Sequence, residues 1–276
     1  MEKKVILITG ASSGIGFDTA LMLANQGYRV YAAARRLDMM EPLCEKGVVT
    51  VKMDVTDENS MVEGVNTVME TEGRIDVLIN NAGYGYFGAV ENVTMVEARR
   101  QVEVNVFGLA RLCQLVLPIM RRQGSGRIVN TSSVAGKAVL PFGGWYHVTK
   151  YSVEALSDAL RMEMKPFGID VVMIEPGAIR TAWGHIAADH LAESSKGTPY
   201  EVAALNESKI LHFAYNSKLI SSPKVVARAM NKAVNRRHPR ARYRIGAFSG
   251  TIVFLHWLLP AKWWDAMMRR IAKVKM

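Results

Sequence analysis

Short apolar runs alternate with amphipathic stretches along most of the chain. β-Branched and other apolar residues cluster at 5–8, 29–34, 48–53, 76–80, 127–131 and 170–174, which predicts six buried strands, and a weaker run at 242–246 predicts a seventh. Between these runs, apolar residues recur every three or four positions, the spacing of helices that cover a sheet. Strands that alternate with helices in this way are typical of an α/β fold.

A glycine-rich loop joins the first predicted strand to a predicted helix. The sequence Thr9-Gly10-Ala11-Ser12-Ser13-Gly14-Ile15-Gly16 follows the strand directly and leads into the helical pattern that starts at Phe17. Glycines let a backbone turn tightly and approach a pyrophosphate, and a helix N-terminus offers unpaired N–H groups. The loop therefore predicts a dinucleotide site, although its spacing is G-x-x-x-G-x-G and not the G-x-G-x-x-G of other dinucleotide folds.

A phenol and an ammonium share one face of a later predicted helix. Tyr146 and Lys150 are four residues apart, so both project into the same space. A neighbouring cation stabilises phenolate, and we therefore expect the pKa of Tyr146 to lie below its usual value of about 10. Ser133 lies thirteen residues upstream, at the end of a predicted strand where open α/β sheets bind ligands. Ser132 is the alternative, but the spacing favours Ser133.

Together with further short motifs, these residues form an ordered set. In chain order the set is Thr9-Gly10-x-x-x-Gly14-Ile15-Gly16, Asn80-Asn81-Ala82-Gly83, Asn105, Ser133, Tyr146-x-x-x-Lys150 and Pro176-Gly177. It resembles the short-chain dehydrogenase/reductase family over about residues 3 to 182. The resemblance implies a doubly wound, Rossmann-like parallel sheet with helices on both faces, in a single domain that we place at residues 1–250.

The resemblance also implies the chemistry of the site. Tyr146 would be the general acid in carbonyl reduction and the general base in alcohol oxidation. Lys150 would lower the pKa of Tyr146 and bind the nicotinamide ribose. Ser133 would donate a hydrogen bond to the substrate oxygen, and Asn105 would hold a water in the proton relay to Lys150, unless it is only a helix-kink asparagine.

Contacts to the cofactor follow from the same resemblance. Asp54 would lie near the adenine, although it could instead cap a helix that begins at Thr56, and the Asn80–Gly83 turn could brace the sheet as well as bind. The expected cofactor-binding set is Gly10, Ser12, Ser13, Gly14, Ile15, Gly16, Arg35, Arg36, Asp54, Val55, Asn81, Ala82, Gly83, Tyr146, Lys150, Pro176, Gly177, Ile179 and Thr181. We expect no metal site.

Charge at the end of the second predicted strand bears on the choice of cofactor. NAD-dependent enzymes carry an acidic residue there to bind the ribose. This chain has Ala34, followed by Arg35 and Arg36. A guanidinium matches a ribose 2′-phosphate in shape and charge, so we predict NADP(H), with Arg35 as the main contact and Ser12 or Ser13 as possible helpers. The alternative is that both arginines are simply solvated.

The rest of the composition limits the class of protein. A chain of 276 residues that is 49% hydrophobic fits one α/β domain. Cys44 and Cys113 are the two cysteines, which indicates no disulfide framework and fits a reducing compartment. The first predicted strand begins almost at Met1, so we expect no signal peptide and a cytoplasmic protein.

The positive charge of the chain is concentrated at its C-terminal end. Of the net +10, residues 223–276 contribute thirteen Lys and Arg against one acid, Asp265. The expected C-terminal extension, 251–276, holds Trp257, Trp263 and Trp264. Its apolar run at 251–259 is too short for a membrane span, which needs about 20 residues. Either this basic extension lies on a membrane surface, or it packs over the active site or in a subunit interface. No nucleic-acid-binding fold accompanies the charge.

A substrate lid is expected at about residues 183–222, as a mobile loop with a helix near 200–216. Tyr84, Leu140, Phe142, Trp145 and Trp183 are expected to line an apolar pocket. Similar C-terminal extensions occur in relatives that act on steroids and retinoids. We therefore predict an NADP-dependent oxidoreductase for a hydrophobic secondary alcohol or ketone, working as a homodimer or homotetramer. The alternatives are a 3-oxoacyl thioester reductase and a catalytically silent NADP-sensing protein.

Overall fold

Seven parallel strands form the sheet in residues 3–217 and 219–272, which the computed structural model describes. The spatial order is β3-β2-β1-β4-β5-β6-β7. The strands are β1 (Val5–Thr9), β2 (Arg29–Ala34), β3 (Val49–Lys52), β4 (Val77–Asn80), β5 (Gly126–Thr131), β6 (Ile169–Pro176) and β7 (Arg242–Ile245). Every one coincides with a predicted apolar run to within a few residues, and the α/β prediction is confirmed.

Helices cover both faces of the sheet. They are α1 (Gly14–Ala24), α2 (Glu41–Cys44), α3 (Glu58–Glu72), α4 (Met95–Val102), α5 (Gly108–Gln123), α6 (Gly144–Met164), α7 (Ala182–Ser194), α8 (Glu201–Asn216), α9 (Pro223–Asn235), α10 (Ser249–Leu258) and α11 (Ala261–Ile271). Because side chains alternate across a strand, Ile6 and Ile8 pack into the core beneath α1 and α9, whereas Val5 and Leu7 pack into the core beneath α3, α5 and α6. This two-sided burial is the doubly wound arrangement.

The order of the strands reverses direction between β1 and β4. The chain moves outward from β1 through β2 to β3, then returns to pair β4 with the other side of β1. The loops that follow β1 and β4 therefore diverge and leave a crevice at the carboxyl ends of the strands, the usual place for ligands in an open α/β sheet.

A π-helical turn at Glu103–Phe107 joins α4 to α5. By length and composition alone, the helical stretch Met95–Gln123 could cross a membrane. Leu112, Val116 and Met120 are fully buried in the core beneath the sheet. We therefore interpret the stretch as a core helix.

Residues 183–222 differ from the expected mobile loop. The helix predicted near 200–216 is confirmed as α8, but the residues before it form a second helix, α7. Helices α7 and α8 bury an apolar seam between them, since Ala188, Leu191 and Ala204 have no exposed surface. The spacing of apolar residues within 183–199 did not predict a helix there. The loop expectation was wrong for 182–194.

Buried charges fasten β7 to the rest of the sheet. Glu175 of β6 and Glu154 of α6 are 0% and 4% exposed. The guanidinium of Arg242 lies 3.2 Å from each carboxylate and also pairs with Asp158. Arg244 donates to Glu175 at 3.0 Å. Burial raises the pKa of Glu175, and the nearby Glu154 raises it further.

Replacing Arg242 with Met should lower the free energy of unfolding by about 3 kcal/mol, because Glu154 and Glu175 lose the cation they share and keep only Lys137 and Arg244. The folded-state pKa of Glu175 lies above its unfolded value, so its contribution to stability falls as pH rises through that folded pKa. The loss of unfolding free energy caused by Arg242→Met, measured by urea denaturation, should therefore be larger at about pH 8 than at about pH 5. Exposed Arg237→Met is the control, and an equal loss there would contradict the prediction.

Candidate active site

The glycine loop after β1 is built by close backbone contacts. A Cβ on Gly10 would lie 2.7 Å from the Cα of Ala82, and a Cβ on Gly16 would lie 2.3 Å from the carbonyl oxygen of Gly10. Gly10 and Gly14 also have left-handed backbones, with φ of 67° and 58°. These positions require glycine on steric grounds, and the surface they leave is open to a phosphate.

Asn81 fastens this loop to the end of β4. Its amide donates to the carbonyl oxygens of Thr9 at 3.1 Å and Gly10 at 3.2 Å. The hydroxyl of Thr9 accepts in return from the backbone N–H groups of Asn81 and Ala82, both at 3.1 Å. Asn80 points elsewhere and bonds Asn130 in the core at 2.9 Å. The bracing role for this turn is thus directly visible.

The first turn of α1 faces the same crevice. Ser13 occupies the N-cap position but makes no capping hydrogen bond within the described residues, and the first turn holds no acidic side chain. The first backbone N–H groups of α1 and the dipole of that helix therefore favour the binding of an anion at this end. Ser12 is partly buried beside the loop, and Ile15 packs against the core.

Arg35 and Asp54 line one cavity of about 340 Å³ at the ends of β2 and β3, and Arg36 does not line it. The other lining residues are Thr56, Arg99, Arg100, Glu103 and Val104. The carboxylate of Asp54 accepts from the N–H of Thr56 at 3.0 Å and from its hydroxyl at 2.8 Å.

The proposed cap role for Asp54 was wrong. The side chain of Asp57 accepts from the N–H of Ser60 at 2.8 Å and so caps α3, which begins at Glu58 and not at Thr56. Val55 lies under the start of α5, where a Cβ on Gly108 would meet its carbonyl oxygen at 2.3 Å. Asp54 therefore does not cap α3, and it forms part of the cavity wall.

Ser133, Tyr146 and Lys150 converge at the carboxyl end of β5. The hydroxyl of Ser133 donates to the carbonyl oxygen of Pro176 at 3.3 Å and accepts from the N–H of Ala135 at 3.1 Å. It also lies close enough to the phenol of Tyr146 to lower the pKa of that phenol. Ser132 is 3% exposed, and its hydroxyl has no partner within the described part of the chain. Of the two serines, the structure therefore brings Ser133 to Tyr146.

The electrostatics of Tyr146 differ from the expectation. Burial raises the pKa of Tyr146 well above the usual range, the nearby Ser133 hydroxyl lowers it by less, and Tyr215 adds to the rise. Lys150 does not offset this, because its ammonium donates to the carbonyl oxygen of Thr131 at 2.9 Å and lies 5.7 Å from the centre of the Tyr146 ring. Burial also lowers the pKa of Lys150 to about 8, against the opposing charge of Glu154.

Asn105 lies in the π-helical turn and is 2% exposed. Its amide nitrogen donates to the carbonyl oxygen of Tyr84 at 2.7 Å and to the hydroxyl of Thr149 at 3.0 Å, and its oxygen accepts from the N–H of Tyr84 at 2.7 Å. The side chain thus ties the segment after Gly83 to helix α6. The water-holding role stays a prediction.

The loop after β6 covers the glycine loop from the other side. The N–H of Gly177, which follows Pro176, donates to the carbonyl oxygen of Ile245 at 2.7 Å. Ile179 is 5% exposed and belongs to the core. A Cβ on Gly14 would lie 3.1 Å from the methyl group of Thr181, so Thr181 faces the glycine loop and Ile179 supports it from below.

An aromatic wall surrounds the Tyr146 phenol. The Tyr146 ring centre is 4.9 Å from that of Trp183 and 5.8 Å from that of Phe87, and Tyr215 packs against Gly184. Burial raises the pKa of Tyr215 to about 12, so it is a neutral phenol in the physiological range.

Of the five residues expected to line the pocket, Trp183 is confirmed beside Tyr146. Tyr84 instead directs its hydroxyl to Glu97 at 2.7 Å, and Phe142 faces Tyr200. The N–H of Leu140 donates to His147 at 3.0 Å, and Trp145 is partly buried. Sequence reasoning missed Phe87 and Tyr215, although Phe87 ends a run of aromatic residues just after the Asn80–Gly83 turn.

His147 and His185 make structural hydrogen bonds and are not needed for the chemistry assigned to Tyr146. The ring of His147 bonds the carbonyl oxygen of Ala135 at 2.9 Å and holds the loop that precedes α6. His185 bonds His212 at 2.9 Å, which joins α7 to α8. Neither hydrogen bond involves Tyr146, although the ring of His147 lies edge-on to that of Tyr146, with the ring centres 6.3 Å apart.

With this geometry in view, the chain belongs to the short-chain dehydrogenase family, whose model matches residues 4–191. A probable short-chain type dehydrogenase/reductase, VdlC, of Helicobacter pylori is 38% identical over 96% of both chains. The 3-ketodihydrosphingosine reductase of Bacteroides thetaiotaomicron is 36% identical over 89% of both chains. Human 17-beta-hydroxysteroid dehydrogenase type 1 is 35% identical over 88% of this chain and 77% of its own.

Solved structures agree on the fold. A short-chain dehydrogenase from Streptomyces avermitilis superposes with a TM-score of 0.81 at 32% identity, covering 99% of this chain and 97% of its own. An alcohol dehydrogenase from Thermococcus sibiricus complexed with 5-hydroxy-NADP reaches 0.72 at 28% identity, covering 90% of this chain and 98% of its own. A Burkholderia phymatum member in complex with NAD reaches 0.75 at 26% identity, covering 87% and 89%. The family thus uses NAD or NADP, and the glycine cradle of this chain fits such a cofactor.

Gly16→Ala should weaken the binding of NAD(P)H at least about tenfold, because the added Cβ must displace the backbone of Gly10 and so distort the loop. Fluorescence titration with NADPH measures this directly. Gly250→Ala is the matched control, since a Cβ there meets nothing within 4 Å. Unchanged binding in the first variant would show that the glycine loop does not hold the cofactor.

Proposed function

We propose that this protein is an NADP-dependent oxidoreductase acting on a hydrophobic secondary alcohol or ketone, steroid-like or retinoid-like in character. The observation that carries the proposal is the placement of the Ser133 hydroxyl beside the Tyr146 phenol, next to an aromatic wall. The nicotinamide cofactor supplies or accepts the hydride. The catalytic domain is taken as residues 1–250, with a lid at about 183–222 and an extension at 251–276.

Tyr146 is suited to deliver a proton to a carbonyl oxygen. Its raised pKa keeps it protonated at neutral pH, so it enters carbonyl reduction as the acid. Ser133 donates to the same oxygen as negative charge develops there. The ammonium of Lys150 is held by the carbonyl oxygen of Thr131, 5.7 Å from the centre of the Tyr146 ring, and in the proposal it binds the nicotinamide ribose. Asn105 positions helix α6 through Thr149 and, in the proposal, holds the relay water.

The walls of the site favour a lipophilic substrate. Phe87, Trp183 and Tyr215 offer aromatic surface and few hydrogen bonds next to Tyr146. Two relatives are named for a 3-ketodihydrosphingosine and a hydroxysteroid. These features support the lipophilic substrate over the 3-oxoacyl thioester, and the complete set of Ser133, Tyr146, Lys150 and Asn105 opposes a silent sensor.

The proposed preference for NADP over NAD depends on Arg35. Its guanidinium lines the cavity with Asp54, and Arg99 and Arg100 add positive charge to the same walls. A ribose 2′-phosphate would meet these cations. Arg36 is exposed and lies outside the cavity, so the contribution proposed for it is the smaller one. We further propose a cytoplasmic homo-oligomer that binds no nucleic acid.

Arg35→Asp should reduce the preference for NADPH over NADH by about 100-fold in kcat/KM, because a carboxylate repels the 2′-phosphate. Arg36→Asp should change that preference by no more than about threefold, since Arg36 does not line the cavity. Kinetics with both cofactors and one ketone test the pair. Equal effects would sink the assignment to Arg35.

Tyr146→Phe should lower the rate of ketone reduction by at least about 1000-fold with NADPH affinity retained, because the ring is kept and the proton is lost. Tyr151→Phe, on the same helix but 40% exposed, is the control. In the unaltered enzyme, reduction should also decline as pH rises past about 8, where Lys150 loses its charge. Turnover that survives in Tyr146→Phe would refute the mechanism.

A further inference from the structure

Helices α10 and α11 expose large apolar side chains to solvent. Phe254, Trp257 and Leu258 lie at positions i, i+3 and i+4 of α10 and therefore share one face. Trp257 is 77% exposed, and Trp263 on α11 is 69% exposed. Packing within the chain leaves these side chains uncovered.

Phe248 adds a strained position at the start of α10. Its backbone is left-handed, with φ of 59°, which is costly for a bulky side chain. Its side chain is 60% exposed, so burial within the protein does not offset that cost. The ring is directed outward next to an already apolar helix.

A basic groove lies close to α10 and α11, two consecutive helices that together we call the α10–α11 hairpin. The groove has a volume of about 410 Å³ between α9 and β7, an apolar floor and a rim of Arg228, Lys232, Arg236 and Arg240. Within residues 3–217 and 219–272, none of these four cations pairs with a carboxylate, in contrast to Arg242 and Arg244. Ile245, on the groove floor, is three residues from Phe248, so at most about 11 Å of chain separates the groove from the hairpin.

We propose that the α10–α11 hairpin and the groove form one docking surface for an anionic phospholipid bilayer. Aromatic side chains favour the boundary between headgroups and acyl chains, and neighbouring cations are attracted to anionic headgroups. A second copy of this chain is a poorer occupant, because two-fold symmetry would bring the same cations together. At 10 and 11 residues, α10 and α11 lie on the bilayer and do not span it.

This surface concerns where the enzyme works and does not depend on the proposed reaction. It is nevertheless linked to the site, because the indole N–H of Trp264 on α11 donates to the carbonyl oxygen of Val139, in the loop that His147 holds. A docked hairpin would thus lie beside the segment that leads into α6.

Sedimentation with vesicles tests the proposal on the full chain. The protein should pellet with mixed phosphatidylglycerol–phosphatidylcholine vesicles and not with phosphatidylcholine alone, and added salt should release it. Arg228→Gln with Arg236→Gln should weaken the apparent affinity by about 30-fold, at roughly 1 kcal/mol per cation. Phe254→Ser with Trp257→Ser should weaken it by at least about tenfold.

Val96→Ser with Met162→Ser is the matched control, since these residues of α4 and α6 are 71% and 65% exposed. It should bind vesicles as the unaltered protein does, and all variants should keep their unfolding temperature and their activity on a water-soluble ketone. Equal loss in the control pair, or no preference for anionic vesicles, would overturn the proposal. Light scattering without vesicles gives a further test. If Phe254→Ser with Trp257→Ser dissociated an oligomer, the surface would be a subunit interface and the proposal would be overturned.

Discussion

The hydrogen bonds between the ends of β1 and β4 hold the site together. Asn81 joins the carbonyl oxygens of Thr9 and Gly10, and the Thr9 hydroxyl accepts from the turn in return. This clamp lies where the strand order reverses, so it determines both the shape of the glycine loop and the path of the chain after β4. Without it, the pairing of β1 with β4 would still hold the strands together, but the loops that follow them would lose their direct connection.

From that clamp, a continuous set of contacts leads to the phenol of Tyr146. The chain after Gly83 bonds the amide of Asn105 through the backbone of Tyr84. Asn105 donates to the hydroxyl of Thr149, which in turn donates to the carbonyl oxygen of Tyr146 at 2.8 Å. The π-helical turn re-aims Asn105 toward α6, in keeping with the frequent occurrence of such turns at functional sites. The glycine loop and Tyr146 are therefore positioned by the same framework.

Much of this framework could be predicted from the sequence, and the rest required three dimensions. Strand positions depend on local apolar runs, and Gly10, Gly14 and Gly16 are marked by their spacing, so both were found. The direction of the Tyr146 pKa shift was missed because it depends on burial by Trp183 and Phe87, which are distant in sequence. Helix α7 was missed because its apolar seam is shared with α8. The alternative that Asp54 caps a helix was wrong because Asp57, three residues later, caps α3.

The central claim is that Tyr146 and Ser133 reduce a lipophilic carbonyl with hydride from NADPH. Mass spectrometry of the alcohol formed from a steroid or long-chain ketone and NADPH deuterated on its transferable nicotinamide position tests this most directly. The account predicts one deuterium on the new carbinol carbon, with product formation abolished in Tyr146→Phe. Product without deuterium, or turnover confined to small polar carbonyls, would contradict it.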